Sequence, residues 1–520
     1  MNGNKVLNWF KEHKRLVKAF IMMWVPLLCC MMTCALAGRS IGDVYLPTSE
    51  WNDELFYFKQ VEGILSNGFP QGYFGFNESH AEVLSFAAWS PVLVFPWIVW
   101  GLLFGWNLMS PIYCNIFLMM LAVFLFVLLV NPKSKQMLYL AIMLPVFTPM
   151  TRFMLSGMPE VICFAAVTIL LGVAVSYSRE EKRAKLAVMF IMTSLMTLMR
   201  PYLFLFMLLP AYYWIKHNKK VGIVGTVLVM GVTGGIYVLI NKYLSAPYLT
   251  PLFDVTWIEK FFAEGIWAGI KFTLYKLFTV GKTVCAMMQE AFISGYHAGT
   301  QFAAYVWFLL IFIWQSLQDL RKKRRAEGEL HSFLVIAFIG MLVAVLLMYK
   351  PIQGGRHLLT FITAGVFMVS IMETKFHRKA IFTAGILAYL FIGKATDAYE
   401  HQIPYMDEQR QETLTQWADT LTKEFVLVEE KAPNYDNVLI WTLWDEVDGQ
   451  HASLKWQELY AVPAGFGISC CEDTYVTEHF DELQSKYIAV VSGGILEAKC
   501  KQKSLREMGR SEEVVIYELH

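Results

Sequence analysis

Residues 110–130 carry the sequence SPIYCNIFLMMLAVFLFVLLV, which contains no charged side chain. An α-helix rises about 1.5 Å per residue, so a run of this length can cross the hydrocarbon core of a bilayer. Similar apolar runs recur on both sides of it. They lie near 19–38, 83–105, 137–155, 161–177, 186–199, 201–215, 221–240, 302–318, 331–349, 358–374 and 379–394. The pattern predicts a polytopic membrane protein.

The composition indicates the same class. Of the 520 residues, 56% are hydrophobic and only 17% are charged, against about 25% charged residues in soluble globular proteins. A soluble chain of this size could not bury so much apolar surface, so the excess must face lipid. The net charge is +1, and no basic patch is interleaved with aromatic residues as in proteins that bind nucleic acid. We therefore expect no nucleic-acid partner.

Basic residues predict which ends of the helices face the cytoplasm. The run 19–38 follows a basic flank and lacks a convincing cleavage site, so we interpret it as the first transmembrane helix. Five further basic clusters lie between the runs. They are found at residues 133–135, 179–185, 216–220, 321–325 and 375–379. The positive-inside rule places the N-terminus and all five clusters in the cytoplasm.

This orientation is consistent only if the run 83–105 does not cross the membrane. Pro91 and Pro96 interrupt that run, so we interpret it as a juxtamembrane or re-entrant segment with both ends outside. About eleven transmembrane helices then remain within residues 1–394. The segments 39–109 and 241–301 become external loops of a multi-pass cell-membrane protein.

Residues 395–520 are richer in charge and combine strand and helix patterns. The predicted strands are Asn437–Trp444, Glu458–Ala464, Tyr487–Ser492 and Val514–Leu519, and the predicted helices are 406–424 and 476–486. The fold prediction is thus an all-α polytopic membrane protein with a small C-terminal extracytoplasmic α/β domain. The sequence leaves open whether Cys470, Cys471 and Cys500 form a disulfide there.

The first external loop carries the strongest chemical signal. Asp53 and Glu54 follow the first transmembrane helix closely and lie among aromatic residues at 51 and 56–58. Acidic residues in an external loop are usually just solvated. In this aromatic setting they would be partly desolvated, which raises the proton affinity of a carboxylate and suits it to general-base catalysis.

Three features together resemble the GT-C glycosyltransferases, a superfamily that includes protein O-mannosyltransferases and bacterial aminoarabinose transferases. They are the Asp53-Glu54 opening of the first loop, a second acid at Glu160 in the corner Ser156-Gly-Met-Pro-Glu, and the basic corner Gly354-Gly-Arg-His-Leu-Leu. The resemblance covers most of residues 1–394. It implies transfer of a sugar from a polyprenyl-phosphate carrier to an acceptor on the outer side of the membrane, where the acceptor is a glycan, a lipid or a protein.

The same residues can be assigned roles in that chemistry. Asp53 is the candidate base, and Glu54 and Glu160 could orient the acceptor or bind a divalent cation. Arg356, His357 and Arg200 are the candidates for holding the donor phosphate, because a guanidinium presents a fixed fork of hydrogen-bond donors. His80 and Glu82, which precede the proline-broken segment, are further binding candidates. Each arginine also has an ordinary alternative: Arg200 could snorkel to the interface, and Arg356 could contact lipid headgroups.

Two other functions remain compatible with the sequence. A polyprenyl-linked glycan polymerase or ligase would also use outer-face arginine and histidine, although it should carry a long external loop late in the bundle. A transporter or scaffold is the third alternative. Transporters usually show paired repeats and polar residues near the bilayer midplane, whereas the ionisable groups here gather at the helix ends.

Overall fold

The computed structural model describes most of the chain. The described residues are 13–44, 53–68, 74–78, 90–244, 254–295, 297–322, 325–349, 351–372, 377–393, 412, 416, 435–454, 459, 460, 462, 464 and 466–520. His80 and Glu82 lie outside the described residues, and so does the predicted helix 406–424 apart from residues 412 and 416.

Helices account for most of the described chain up to residue 393. They are α1 (Lys14–Met22), α2 (Val25–Leu36), α3 (Asp53–Asn67), α4 (Pro91–Phe104), α5 (Ser110–Val130), α6 (Ser134–Val146), α7 (Thr148–Met154), α8 (Glu160–Arg179), α9 (Arg183–Met199), α10 (Leu208–His217), α11 (Lys219–Leu244), α12 (Thr256–Ala263), α13 (Ile266–Ser294), α14 (His297–Arg321), α15 (Arg325–Met348), α16 (Pro351–Ile371) and α17 (His377–Ala388). A 3₁₀ helix at Pro201–Met207 joins α9 to α10, and a π-helix at Tyr389–Gly393 extends α17.

Within the described residues, seven helical segments are long and apolar enough to cross a membrane. They are Lys14–Leu36, α5, α8, α11, Ala298–Arg321, Gly328–Met348 and Gly354–Ile371. The count becomes eight if α6 and α7, which meet at 66°, form one broken span. The helix α4 has 14 residues, fewer than the roughly 20 needed to cross. The number of about eleven spans stays a prediction.

Side-chain contacts bring all five basic clusters, and the N-terminal basic flank, to one end of the helical bundle. These contacts are Arg15 to Leu129 O, Lys18 to Pro132 O, Arg179 to Val130 O, His217 to Tyr177, Lys216 to Glu329, Gln136 to Met372 O, and Lys379 over the ring of Trp314. We call this the basic end. Its composition is the arrangement that the positive-inside rule predicts for a cytoplasmic face.

The C-terminal part contains a six-stranded sheet with the order β1-β5-β2-β6-β8-β7. The strands are β1 (Phe74–Phe76), β2 (Val438–Thr442), β5 (Gly467–Cys471), β6 (Tyr487–Val491), β7 (Arg506–Arg510) and β8 (Val514–Glu518), with a separate hairpin of β3 (Asp445–Val447) and β4 (Gln450–Ala452). The first four strands of that order are parallel to one another, and β8 is antiparallel to both of its neighbours, β6 and β7. The continuously buried, apolar strands are typical of a sheet covered on both faces.

Comparison with the predicted elements confirms three strands and corrects two elements. The strands predicted around β2, β6 and β8 are present. The prediction of a strand at Glu458–Ala464 is wrong for its described residues, which form a short helical turn, a bend and a turn; the strand begins later, at Gly467. The helix predicted over 476–486 is instead α18 (Asp473–Glu478) followed by a 3₁₀ turn at Phe480–Glu482, and a last helix, α19 (Ile495–Gln502), precedes β7.

The edge strand β1 comes from the first loop, not from the C-terminal part. It pairs in parallel with β5, and Glu78 just after it is buried with its carboxylate accepting hydrogen bonds from the Ser485 amide at 2.7 Å and the Gln484 amide at 3.0 Å. The α3 side chain Lys59 also reaches across and donates to the Tyr460 carbonyl at 3.1 Å. The first loop and the C-terminal sheet therefore lie on the same side of the bundle.

The three C-terminal cysteines are buried free thiols. Burial raises the pKa of Cys471 and of Cys500 to about 12. Thiols with such a pKa are protonated at neutral pH and poorly nucleophilic. In this structure no disulfide joins Cys470, Cys471 and Cys500.

Candidate active site

The helix α3 begins at Asp53 and presents two acids in its first turn. Asp53, Glu54 and Tyr57 are spaced by three and four residues, so they share one face of the helix. Glu54 is fully buried, and Tyr57 is 1% exposed. The opposite face of α3 carries Lys59 and Glu62, which form an ion pair at 2.7 Å. The acidic face therefore points away from the contact with the C-terminal part.

Asp53 forms an ion pair with Arg356, which lies 303 residues later in the chain. The Arg356 Nη1 atom is 2.7 Å from Asp53 Oδ2, and the two side chains are 18% and 22% exposed. Arg356 lies in the second turn of α16, where Gly354 and Gly355 precede it. A Cβ atom on Gly354 would be 2.7 Å from a Val345 methyl group, and one on Gly355 would collide with the Gln301 side chain. The two glycines let α16 approach its neighbours closely.

Glu160 forms a second ion pair with Arg200. Arg200 Nη2 lies 2.6 Å from Glu160 Oε1, and the side chains are only 1% and 3% exposed. Pro201 explains the position of the arginine: the residue before a proline is driven out of the helical region, and Arg200 has φ −147° and ψ 120°. The helix α9 therefore ends at Met199, and Arg200 stands at an extended corner beside the first residue of α8.

His357 joins the buried ion pair. Its Nδ1 atom is 3.0 Å from Arg200 Nη1 and 3.2 Å from the Tyr202 hydroxyl. The Tyr349 ring packs over the imidazole with its centroid 4.7 Å away. Because a guanidinium can only donate, the Nδ1 atom facing Arg200 acts as an acceptor. The imidazole is therefore held as part of a buried hydrogen-bond network.

The corner before Glu160 links the two acidic segments. The Glu54 carboxylate accepts a hydrogen bond from the Gly157 amide at 3.3 Å. The Asn115 amide group fixes the same corner by donating to the carbonyls of Ser156 and Met158 at 3.1 and 3.2 Å. The start of α3 is thus docked on the corner from which α8 begins.

The structure brings six of the eight predicted site residues to one end of the bundle, opposite the basic end. They are Asp53, Glu54, Glu160, Arg200, Arg356 and His357. His80 and Glu82 lie outside the described residues. Arg356 lies within electrostatic range of both Asp53 and Glu160, so the two ion pairs belong to one cluster. The roles of these residues stay predictions.

Sequence reasoning did not single out Tyr202 or Tyr349, and treated Tyr57 only as part of an aromatic setting. These tyrosines lie in or beside apolar runs, where aromatic residues are normally ordinary core. The proximity of Tyr202 to Arg200 in sequence was the one available signal.

The described residues contain no complete ligand set for the divalent cation that the sequence suggested. No group of three or more His, Cys, Asp or Glu side chains is placed to bind a metal there. Glu160 and Asp53 each already neutralise an arginine. A cation bound through Glu54 and Glu160 stays a prediction.

The comparisons with known proteins give similarity to a solved structure at low sequence identity. No family model matches the chain, and no curated protein matches it. Among solved structures, the chain is similar to the crystal structure of ArnT from Cupriavidus metallidurans bound to undecaprenyl phosphate, with 10% sequence identity, a TM-score of 0.42, and coverage of 96% of this chain and 98% of that one. At this identity and TM-score the similarity carries no functional argument.

Proposed function

We propose that the protein is a GT-C-type glycosyltransferase that moves a sugar from a polyprenyl-phosphate carrier to an extracytoplasmic glycan, lipid or protein. One observation supports this most directly. Three acids and two guanidinium groups, drawn from α3, α8, the α9 corner and α16, converge at the end of a membrane bundle opposite the basic end.

The reaction needs two kinds of group at the boundary between lipid and water. An acceptor hydroxyl oxygen forms a bond to the anomeric carbon, and the bond between that carbon and the phosphate oxygen breaks. The hydroxyl proton passes to a base, and the electron pair of the broken bond stays on the polyprenyl phosphate. A carboxylate supplies the base, and a guanidinium stabilises the charge on the leaving phosphate.

Asp53 and Arg356 fit these two tasks because they are the more exposed acid and guanidinium of the cluster. A phosphate that enters the site competes with Asp53 for Arg356, since both are anions with oxygen acceptors. The exchange leaves the phosphate on the guanidinium and frees the Asp53 carboxylate to accept a proton. Binding of the donor would in this way prepare the base.

The buried network has a supporting role in this proposal. Glu160, Arg200 and His357 lie behind the exposed pair and are held by short contacts. The docking of Glu54 on the Gly157 amide fixes the first turn of α3. These contacts would hold Asp53 and Arg356 in place until the donor binds.

The test is sugar transfer by the purified full-length protein in lipid nanodiscs. Polyprenyl phosphates carrying radiolabelled mannose or aminoarabinose serve as donors, and a cell-envelope extract serves as the acceptor source. We expect transfer by the wild type and a loss of at least about 100-fold in Asp53→Asn, which is the usual scale for a general base. Glu62→Gln is the matched control, because Glu62 is on the opposite face of α3. Wild-type turnover by Asp53→Asn would remove Asp53 from the mechanism.

A further inference from the structure

Three polar atoms at the candidate site are buried without a hydrogen-bond partner, as judged across the described residues. They are the Tyr57 hydroxyl, the Gln60 side-chain nitrogen and the Glu160 Oε2 atom. The side chains are 1%, 1% and 3% exposed. Most buried polar groups in folded proteins are paired, because an unpaired one pays the full cost of desolvation. Three unpaired atoms in one region therefore require an explanation.

Their positions connect these atoms to the acidic face of α3. Gln60 follows Tyr57 by three residues, and Tyr57 follows Asp53 by four, so the three side chains lie along one side of the helix. The charges of Arg200, Asp53, Glu160 and Arg356 all act on the Tyr57 hydroxyl. The Tyr57 hydroxyl therefore adjoins the ion-pair cluster, and Gln60 lies about one turn further along the same side of α3.

The chemistry of the three atoms distinguishes between possible ligands. An amide nitrogen can only donate, a carboxylate oxygen can only accept, and a tyrosine hydroxyl can do both. A phosphate carries acceptor oxygens and a negative charge, so it would leave Glu160 Oε2 without a donor and repel it. A sugar hydroxyl group donates and accepts, so a group that carries several hydroxyls can satisfy all three atoms.

We propose that Tyr57, Gln60 and Glu160 form a subsite that hydrogen-bonds the hydroxyl groups of the donor sugar, beside a phosphate held by Arg356. The inference rests on the proposed transferase function and specifies which part of the donor each group contacts. Because the three atoms are closed off from solvent, the sugar reaches them when α3 moves away from α8 and α16. The partly exposed contact between Asp53 and Arg356 is where that movement would begin.

The experiment compares Tyr57→Phe and Gln60→Leu with the wild type in nanodiscs. Tyr213→Phe is the matched control, since Tyr213 is also buried with an unpartnered hydroxyl but packs against Tyr177, which contacts His217 near the basic end. Two quantities are measured: the Tm without ligand, and the Kd for polyprenyl phosphate with and without an attached mannose or aminoarabinose. Binding is measured instead of sugar transfer because binding of the donor needs no acceptor.

We expect Tyr57→Phe and Gln60→Leu to leave the unliganded Tm unchanged or raise it, since each removes an unpaired buried polar group. Each should weaken the Kd for the sugar-bearing lipid about tenfold, the scale of one lost hydrogen bond. The Kd for the sugar-free lipid should not change. Tyr213→Phe should affect neither Kd.

Three results would overturn the subsite. A lower unliganded Tm in Tyr57→Phe and Gln60→Leu would indicate a structural role, such as contact with a buried water. Equally weakened binding of both lipids would indicate that Tyr57 and Gln60 contact the phosphate and not the sugar. Unchanged affinity for the sugar-bearing lipid would show that Tyr57 and Gln60 contact neither the sugar nor the phosphate. A wild type that prefers the sugar-bearing lipid but never transfers the sugar would contradict the transferase function while leaving the subsite intact.

Discussion

The two ion pairs of the site have the same chemistry in different surroundings. Glu160 and Arg200 are 2.6 Å apart and almost fully buried, whereas Asp53 and Arg356 are 2.7 Å apart and about one-fifth exposed. A buried pair can be broken only at a high cost, because the charge left behind has lost both its partner and water. A partly exposed pair can exchange its partner for a ligand at a lower cost. The difference separates a pair that stays intact, with only the second Glu160 oxygen left for a ligand, from a pair that can exchange partners with a phosphate.

Neutralising the buried pair should have the largest effect on stability. In Glu160→Gln, Arg200 loses its carboxylate partner in a site that water does not reach. We expect a destabilisation of about 3–5 kcal/mol, measured as the shift in chemical or thermal unfolding of the protein in detergent. The conservative Arg200→Lys should also destabilise the protein, but by less, since an ammonium keeps the charge without reproducing the planar fork. A Glu160→Gln variant as stable as the wild type would show that burial does not make the Glu160–Arg200 pair costly to break.

A third pair, outside the candidate membrane spans, allows a test by pH. Glu497 of α19 is buried and lies 2.6 Å from Arg510. Burial by itself would raise the pKa of Glu497, but hydrogen bonds from Lys501, Arg510 and the Gly493 amide outweigh it and lower the pKa to about 2. A glutamate in an unfolded chain titrates near about 4.3. The pair therefore stabilises the sheet above that pH, and its contribution is lost as the pH falls toward 2.

The corresponding prediction concerns Glu497→Gln. We expect it to destabilise the C-terminal sheet by at most about 3 kcal/mol at pH 7, with the difference from the wild type shrinking as the pH is lowered from 5 to 2.5. Hydrogen exchange of the β6 and β8 amides at several pH values would measure this difference in stability. A difference that stays constant with pH would show that the Glu497 charge contributes nothing.

Removing the exposed guanidinium should have the smallest effect on stability. In Arg356→Ala, the loss of a pair that is about one-fifth exposed should cost about 1–2 kcal/mol, less than the loss of the buried pair. The same change should weaken binding of the polyprenyl-phosphate donor more than binding of the acceptor, because only the donor carries the phosphate. Separate titrations of donor and acceptor would measure this. Equal weakening of both would contradict the phosphate role of Arg356.

The sequence predicts the site better than it predicts the C-terminal sheet. The basic clusters and apolar runs predict which helix ends lie on the same side of the membrane. Asp53, Glu160 and Arg356 could therefore be expected to lie close together at one end of the bundle. The strand β1 has only three residues, and its partner β5 contains small residues, Gly-Ile-Ser-Cys-Cys, that do not show strong strand propensity. Their pairing across almost 400 positions depends on tertiary structure, which no local pattern encodes. The unpaired atoms of Tyr57 and Gln60 could not be predicted either, since pairing is a property of the packed structure.

The central claim is that Asp53 and a lipid phosphate compete for Arg356. The most direct measurement is the affinity of Asp53→Asn for sugar-free polyprenyl phosphate, taken beside its transfer activity. Asp53→Asn should bind that lipid more tightly than the wild type, by about tenfold, although it no longer transfers sugar. Weaker or unchanged binding by Asp53→Asn would contradict the exchange of partners at Arg356.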